Sequence, residues 1–169
     1  MAQQSTGAAK SSLDAVTPPI DTAAQQPFHI GLENAISGFK IRAGSRVADP
    51  RYITQVAIEV YAHIVEAWKL NDSDARKMLG VGPESWVQIK NGTWSEVLNQ
   101  EQLMRISAII GLYKALHSCF SEDLANHWVK RPNTESMFSG RKPIDVMIEE
   151  GLPVMIRARD YMGALLGIE

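Results

Sequence analysis

The stretch LNDSDARKMLGVGPESWVQIKNG, Leu70 to Gly92, decides the fold. Gly80 can adopt the positive φ that ends a helix, and Pro83 suits the first position of the next helix, where a backbone N–H would lack a partner anyway. Apolar residues recur at helical spacing on both sides of this turn: Ala75, Met78, Leu79, Trp86 and Ile89. The pattern predicts two short helices joined by a tight turn, which is typical of a helix-turn-helix.

The second of these helices has a polar face that could meet a DNA groove. If Trp86 and Ile89 face inward, the outward face carries Glu84, Ser85, Gln88 and Lys90. We therefore predict that Ser85, Gln88 and Lys90 contact DNA. The alternative is a helix pair that only builds a core, because phosphate and base contacts favour more Arg and Lys than this face offers.

The run resembles the Xre-type DNA-binding fold, in which a similar sequence ends in an Asn-Gly pair after the recognition helix. Here that pair is Asn91-Gly92. The resemblance in this part of the chain covers about twenty residues. It implies a helix-turn-helix that binds operator DNA, with Glu84 as a departure from the expected basic face.

From Asp49 onward apolar stripes at helical spacing continue, and no segment alternates with the period of a strand. Asp49-Pro50 is typical of a helix start, and this helix is predicted to end near Lys69. Asn99 followed by Gln102 predicts a capping box at the start of another helix. The sequence therefore predicts an all-α protein of about seven helices. Four aromatic residues are expected in its core: Trp68, Trp86, Trp128 and Phe138.

The C-terminal third carries a second pattern, spread over 24 residues: Trp128, Pro132-Asn133, Phe138, Gly140, Pro143, Met147 and Gly151. Singly, each residue has an ordinary role in stopping a helix, making a turn or filling a core. In this order, after an Xre-like unit, they resemble the C-terminal toxin-binding domain of the Xre/MbcA/ParS family of antitoxins. The whole resemblance covers about residues 51–169.

This resemblance implies a type II antitoxin that binds and inhibits a RES-domain toxin, an enzyme that degrades NAD. Such antitoxins commonly repress their own operon as dimers, so a homodimer and a toxin–antitoxin hetero-oligomer are expected. A short tail with an apolar anchor and a terminal carboxylate could enter a pocket that binds an anionic dinucleotide; an ordinary frayed terminus is the alternative. The residues predicted to bind the toxin are Arg157, Tyr161, Leu165, Leu166, Ile168 and Glu169.

A change in composition separates residues 1–48 from the rest of the chain, and the resemblance implies the division of that rest at residue 120. Residues 1–48 are rich in small and polar residues and are predicted to be a mostly disordered arm, with a possible docking segment at 28–41 that packs on its own domain or on a partner subunit. Residues 49–120 form the predicted Xre-like domain, and residues 121–169 the toxin-binding domain. The three parts carry formal charges of +1, −1 and −2, so no part is strongly basic.

Several classes of function are disfavoured by what the sequence lacks. A single Cys, no apolar run long enough to cross a membrane and no apolar leader favour a cytoplasmic protein without membrane contact. No metal-ligand spacing, phosphate-binding loop or nucleophile motif is present, so neither an enzyme nor a metal or cofactor site is expected. The alternatives to an antitoxin are a stand-alone DNA-binding regulator with a C-terminal dimerisation module, and a helical small-molecule-binding domain or enzyme.

Overall fold

The computed structural model describes residues 49–167, so the predictions for the arm 1–48, for the segment 28–41, and for Ile168 and Glu169 lie outside the described residues. Every regular element among the described residues is a helix, and they contain no strand, as the all-α prediction requires. Their seven helices are α1 (Pro50–Ala67), α2 (Asp72–Leu79), α3 (Pro83–Lys90), α4 (Gln100–Cys119), α5 (Glu122–Trp128), α6 (Pro143–Glu150) and α7 (Leu152–Leu165).

Local sequence signals set the ends of α1. The side chain of Asp49 accepts a hydrogen bond from the backbone N–H of Arg51 at 3.0 Å, and Pro50 occupies the first turn, where its ring costs no hydrogen bond. The helix ends at Ala67, two residues before the predicted end, because Lys69 takes a positive φ of 48°. This turn sends the chain back towards α2.

The link between α2 and α3 is short and depends on one glycine. Asn71 caps α2 by accepting a hydrogen bond from the backbone N–H of Asp74 at 2.9 Å. Gly80 ends the helix in the left-handed region, with φ 79°, and Val81 then donates its backbone N–H to Arg76 O at 3.0 Å. Pro83 begins α3 immediately afterwards.

Helix α4 is the longest helix of the described chain and lies at its centre. Its N-terminus has the predicted capping box, in which Asn99 and Gln102 exchange two hydrogen bonds of 2.9 Å between side chain and backbone. The connection before α4 is tied to α1, because the buried Thr54 hydroxyl accepts the backbone N–H of Leu98 at 3.0 Å. Helix α4 packs against α1, α5 and most extensively α7.

One cluster of buried side chains joins the regions before and after residue 120. Met78, Ile109, Met147 and Met155 come from four different helices of this cluster and are completely buried. Close approach of α4 and α7 is possible because Gly111 has no side chain: a Cβ there would lie 2.6 Å from Arg159 Cδ.

The aromatic residues expected in the core do not all share one environment. Trp68, Trp86 and Phe138 are buried. Trp128 is only partly buried, and the prediction that it fills the core needs correction. It lies near the end of the seven-residue α5 and covers Phe138 edge-on, with ring centroids 5.7 Å apart. It therefore packs against the core and stays partly accessible to solvent.

Candidate functional site

The outward face of α3 is less open than its sequence suggests. Gln88 is exposed, as predicted for a residue that contacts a groove. Ser85 is partly buried, and the Lys90 ammonium is paired with Asp72, its Nζ lying 2.5 Å from Asp72 Oδ2. Of the three predicted DNA contacts, therefore, only Gln88 is exposed and has a side chain without a recorded polar contact among the described residues.

Asp72 holds α3 against the start of α2. Its Oδ1 accepts a hydrogen bond from Trp86 Nε1 at 3.0 Å, while its Oδ2 accepts one from Lys90. Trp86 and Lys90 are four residues apart and therefore lie on one face of α3, so a single carboxylate binds both. Those two hydrogen bonds, that from Lys90 foremost, lower the pKa of Asp72 below its usual value.

A buried tyrosine fixes the two helices to α1. The Tyr61 hydroxyl donates a hydrogen bond to the backbone carbonyl of Ala75 at 2.7 Å, and its ring meets Trp86 edge-on at a centroid distance of 6.3 Å. Burial raises the pKa of Tyr61 far above its ordinary value, so the hydroxyl remains a donor. Trp86 therefore contacts both the Tyr61 ring and the Asp72 carboxylate, and these contacts fix the position of α3 against α1 and α2.

The C-terminal surface combines an exposed leucine with two charged contacts. Leu165, near the end of α7, is 59 % exposed, and Leu166 beside it is partly buried. The Tyr161 hydroxyl donates to Glu135 Oε1 at 2.9 Å, which joins α7 to the loop before α6. Burial and this hydrogen bond raise the pKa of Tyr161. Arg157 is exposed and reaches Glu150 at 3.3 Å.

Arg105 joins the end of α2 to the junction between α6 and α7. Its guanidinium donates to the backbone carbonyl of Met78 at 3.2 Å and pairs with Glu101 at 2.8 Å. The same side chain lies against Gly80 and against Gly151, where a Cβ would come within 2.9 Å of Nη2. It therefore contacts the ends of α2 and α6 together.

Sequence reasoning missed Asp72, Tyr61 and Arg105. Only the Glu101–Arg105 spacing of four residues was visible as a helical ion pair. The other contacts join residues 14 to 27 positions apart and depend on how the helices pack. In the described part of the chain no group of three or more His, Cys, Asp or Glu could hold a metal ion, and no helix there is long and apolar enough to cross a membrane.

Comparisons with family models, with curated proteins and with solved structures found no match to this chain. The functional interpretation therefore depends on the residues and contacts described above, and on the resemblance found in the sequence.

Proposed function

We propose that this protein is an antitoxin that binds and inhibits an NAD-degrading RES-domain toxin through its C-terminal surface. The observation that carries the proposal is the exposed Leu165 beside Tyr161, at the end of a helix anchored firmly in the core. A large apolar side chain that is mostly exposed and held on a rigid helix is a suitable anchor for a partner pocket. Arg157, four residues before Tyr161, supplies an exposed cation nearby.

In this proposal the apolar residues of α7 and the tail that follows it, Ile168 and Glu169, have different roles. Tyr161, Leu165 and Leu166 provide the contact area, and Arg157 adds a charged contact at its edge. The last residues, Ile168 and Glu169, enter the entrance of the toxin's active site. Binding through α7 and inhibition through the tail are therefore separable.

The test uses a RES-domain protein encoded beside this chain, with its NAD consumption as the readout. Leu165→Asp should weaken the complex at least tenfold, because it places a charge in the apolar contact. Val87→Asp is the matched control, since Val87 is similarly exposed, at 51 %, but lies on α3. Full inhibition by the Leu165→Asp protein would contradict the proposal for this surface.

A second proposed activity, operator binding through α2 and α3, is supported by the placement of Gln88. Asp72 binds Trp86 and Lys90, and Tyr61 packs against Trp86, so α3 is held at its middle and at its C-terminal end while Gln88 is exposed. A glutamine on a rigidly held helix could read an adenine in the major groove. If this activity exists without toxin binding, the protein is a stand-alone regulator.

Two variants and one control variant test the DNA activity against the promoter of the protein's own operon. Gln88→Ala should weaken specific binding, whereas Gln55→Ala, on the exposed side of α1, should not. Lys90→Gln should reduce the salt dependence of binding if Lys90 leaves Asp72 for a phosphate. Equal affinity of all three variants and the wild type would count against this face.

A further inference from the structure

The first two turns of α1 are apolar but incompletely covered. Ile53 and Ala57 continue the stripe of the helix that faces the core, yet both remain partly exposed. Val60 and Ile64, further along the same stripe, are almost wholly buried, with exposures of 2 % and 1 %. Val56 and Ile58 widen the apolar surface on either side of this end and are also partly exposed.

The connection between α3 and α4, residues 91–99, extends this apolar surface of α1. The hydrogen bond from Leu98 to Thr54 brings the connection against the first turns of α1. Val97, next to Leu98, is 45 % exposed. Trp94, in the same connection, has a buried Nε1 with no acceptor among the described residues. We define the α1 entry face as Ile53, Val56, Ala57, Ile58 and Val97.

We propose that the chain's own segment 28–41 covers the α1 entry face. This segment is far more apolar than the rest of the arm, and its large apolar residues are Phe28, Ile30, Leu32, Ile36, Phe39 and Ile41. The segment carries the cation Lys40 next to Ile41, and the exposed Glu96 directly precedes Val97 of the face.

Chain length favours an intramolecular contact. Only residues 42–48 separate the segment from Asp49, and seven residues can span at most about 25 Å. The α1 entry face begins within the first turn after Asp49, well inside that reach. A tether of this length gives an effective concentration in the millimolar range, so the same molecule's segment outcompetes one from another molecule in dilute solution.

Hydrogen exchange of the full-length chain tests the proposal. The double variant Ile36→Asp/Phe39→Asp introduces two charges into the apolar segment, and exchange of the amides of residues 53–58 should become at least tenfold faster. Ser11→Asp/Ser12→Asp is the matched control, because it adds the same charge outside the segment and should change nothing. Amides of α4 serve as an internal reference and should keep their wild-type rates in both variants.

Two results would overturn the proposal. If residues 53–58 exchange equally fast in the wild type and in Ile36→Asp/Phe39→Asp, the segment does not cover this face. If the wild-type protection disappears on dilution together with a change from dimer to monomer mass, the cover comes from a second copy. Both outcomes are independent of whether the protein binds a toxin or DNA.

Discussion

At the scale of single residues, Asp72 determines how α3 is held. Its folded-state pKa is lowered by the hydrogen bonds from Lys90 and Trp86, so its ionised form contributes stability above the usual Asp pKa of about 3.9. That contribution is lost as the pH falls through the lower, folded-state value. We therefore expect Asp72→Asn to lower Tm at pH 7 and to leave it nearly unchanged near pH 2.

Thermal unfolding followed by circular dichroism at the two pH values checks this expectation. Glu96→Gln removes a carboxylate from an exposed position outside the Asp72 cluster and should have little effect at either pH. An equal loss of Tm for Asp72→Asn at both pH values would mean that shape, not charge, explains the effect of the substitution.

The two tryptophans Trp86 and Trp128 should differ in their contribution to stability. Trp86 is 4 % exposed and is held by Tyr61 and Asp72, so Trp86→Ala should cost about 3–5 kcal/mol. Trp128→Ala should cost clearly less, because Trp128 is only partly buried. Urea unfolding of both variants measures the difference in the free energy of unfolding. Equal losses would be evidence against the partly exposed position of Trp128.

At the scale of elements, the capping box of α4 should stabilise the helix measurably. Asn99→Ala removes the side-chain acceptor for the Gln102 N–H and should cost about 1 kcal/mol. Ser121→Ala is the matched control, since Ser121 precedes α5 without a side-chain capping hydrogen bond. Urea midpoints compare the two, and a loss at Ser121 as large as that at Asn99 would contradict the capping explanation.

Helix ends were predictable from the sequence because capping is a local matter. The start of α1 at Asp49-Pro50 and the start of α4 at the Asn99 cap follow from residues within one turn of each end. The ion pair between Lys90 and Asp72 was not predictable in the same way. Its partner Asp72 lies 18 residues earlier, and the contact exists only once α2 and α3 have packed. The same holds for the partial burial of Ser85 and Trp128.

At the scale of the whole molecule, one core serves residues on both sides of position 120. Helices on both sides of the predicted boundary at 120/121 contribute buried side chains to this core. Helix α7 packs along α4, and Arg105 contacts both Met78 O and the turn at Gly151. These contacts join α7 and the turn at Gly151 to α4 and to the end of α2.

This arrangement predicts that the described helices unfold together. Met155 is completely buried on α7, so Met155→Ala should cost at least about 2 kcal/mol, which corresponds to about thirtyfold faster exchange through global opening. Met155 lies 76 residues after the end of α2, but the two helices share one core. The exchange rates of α2 amides that open globally should therefore rise by the same factor as those of α7. Acceleration confined to residues after 120 would show that the C-terminal part opens by itself, and the described chain would then consist of two independently stable units.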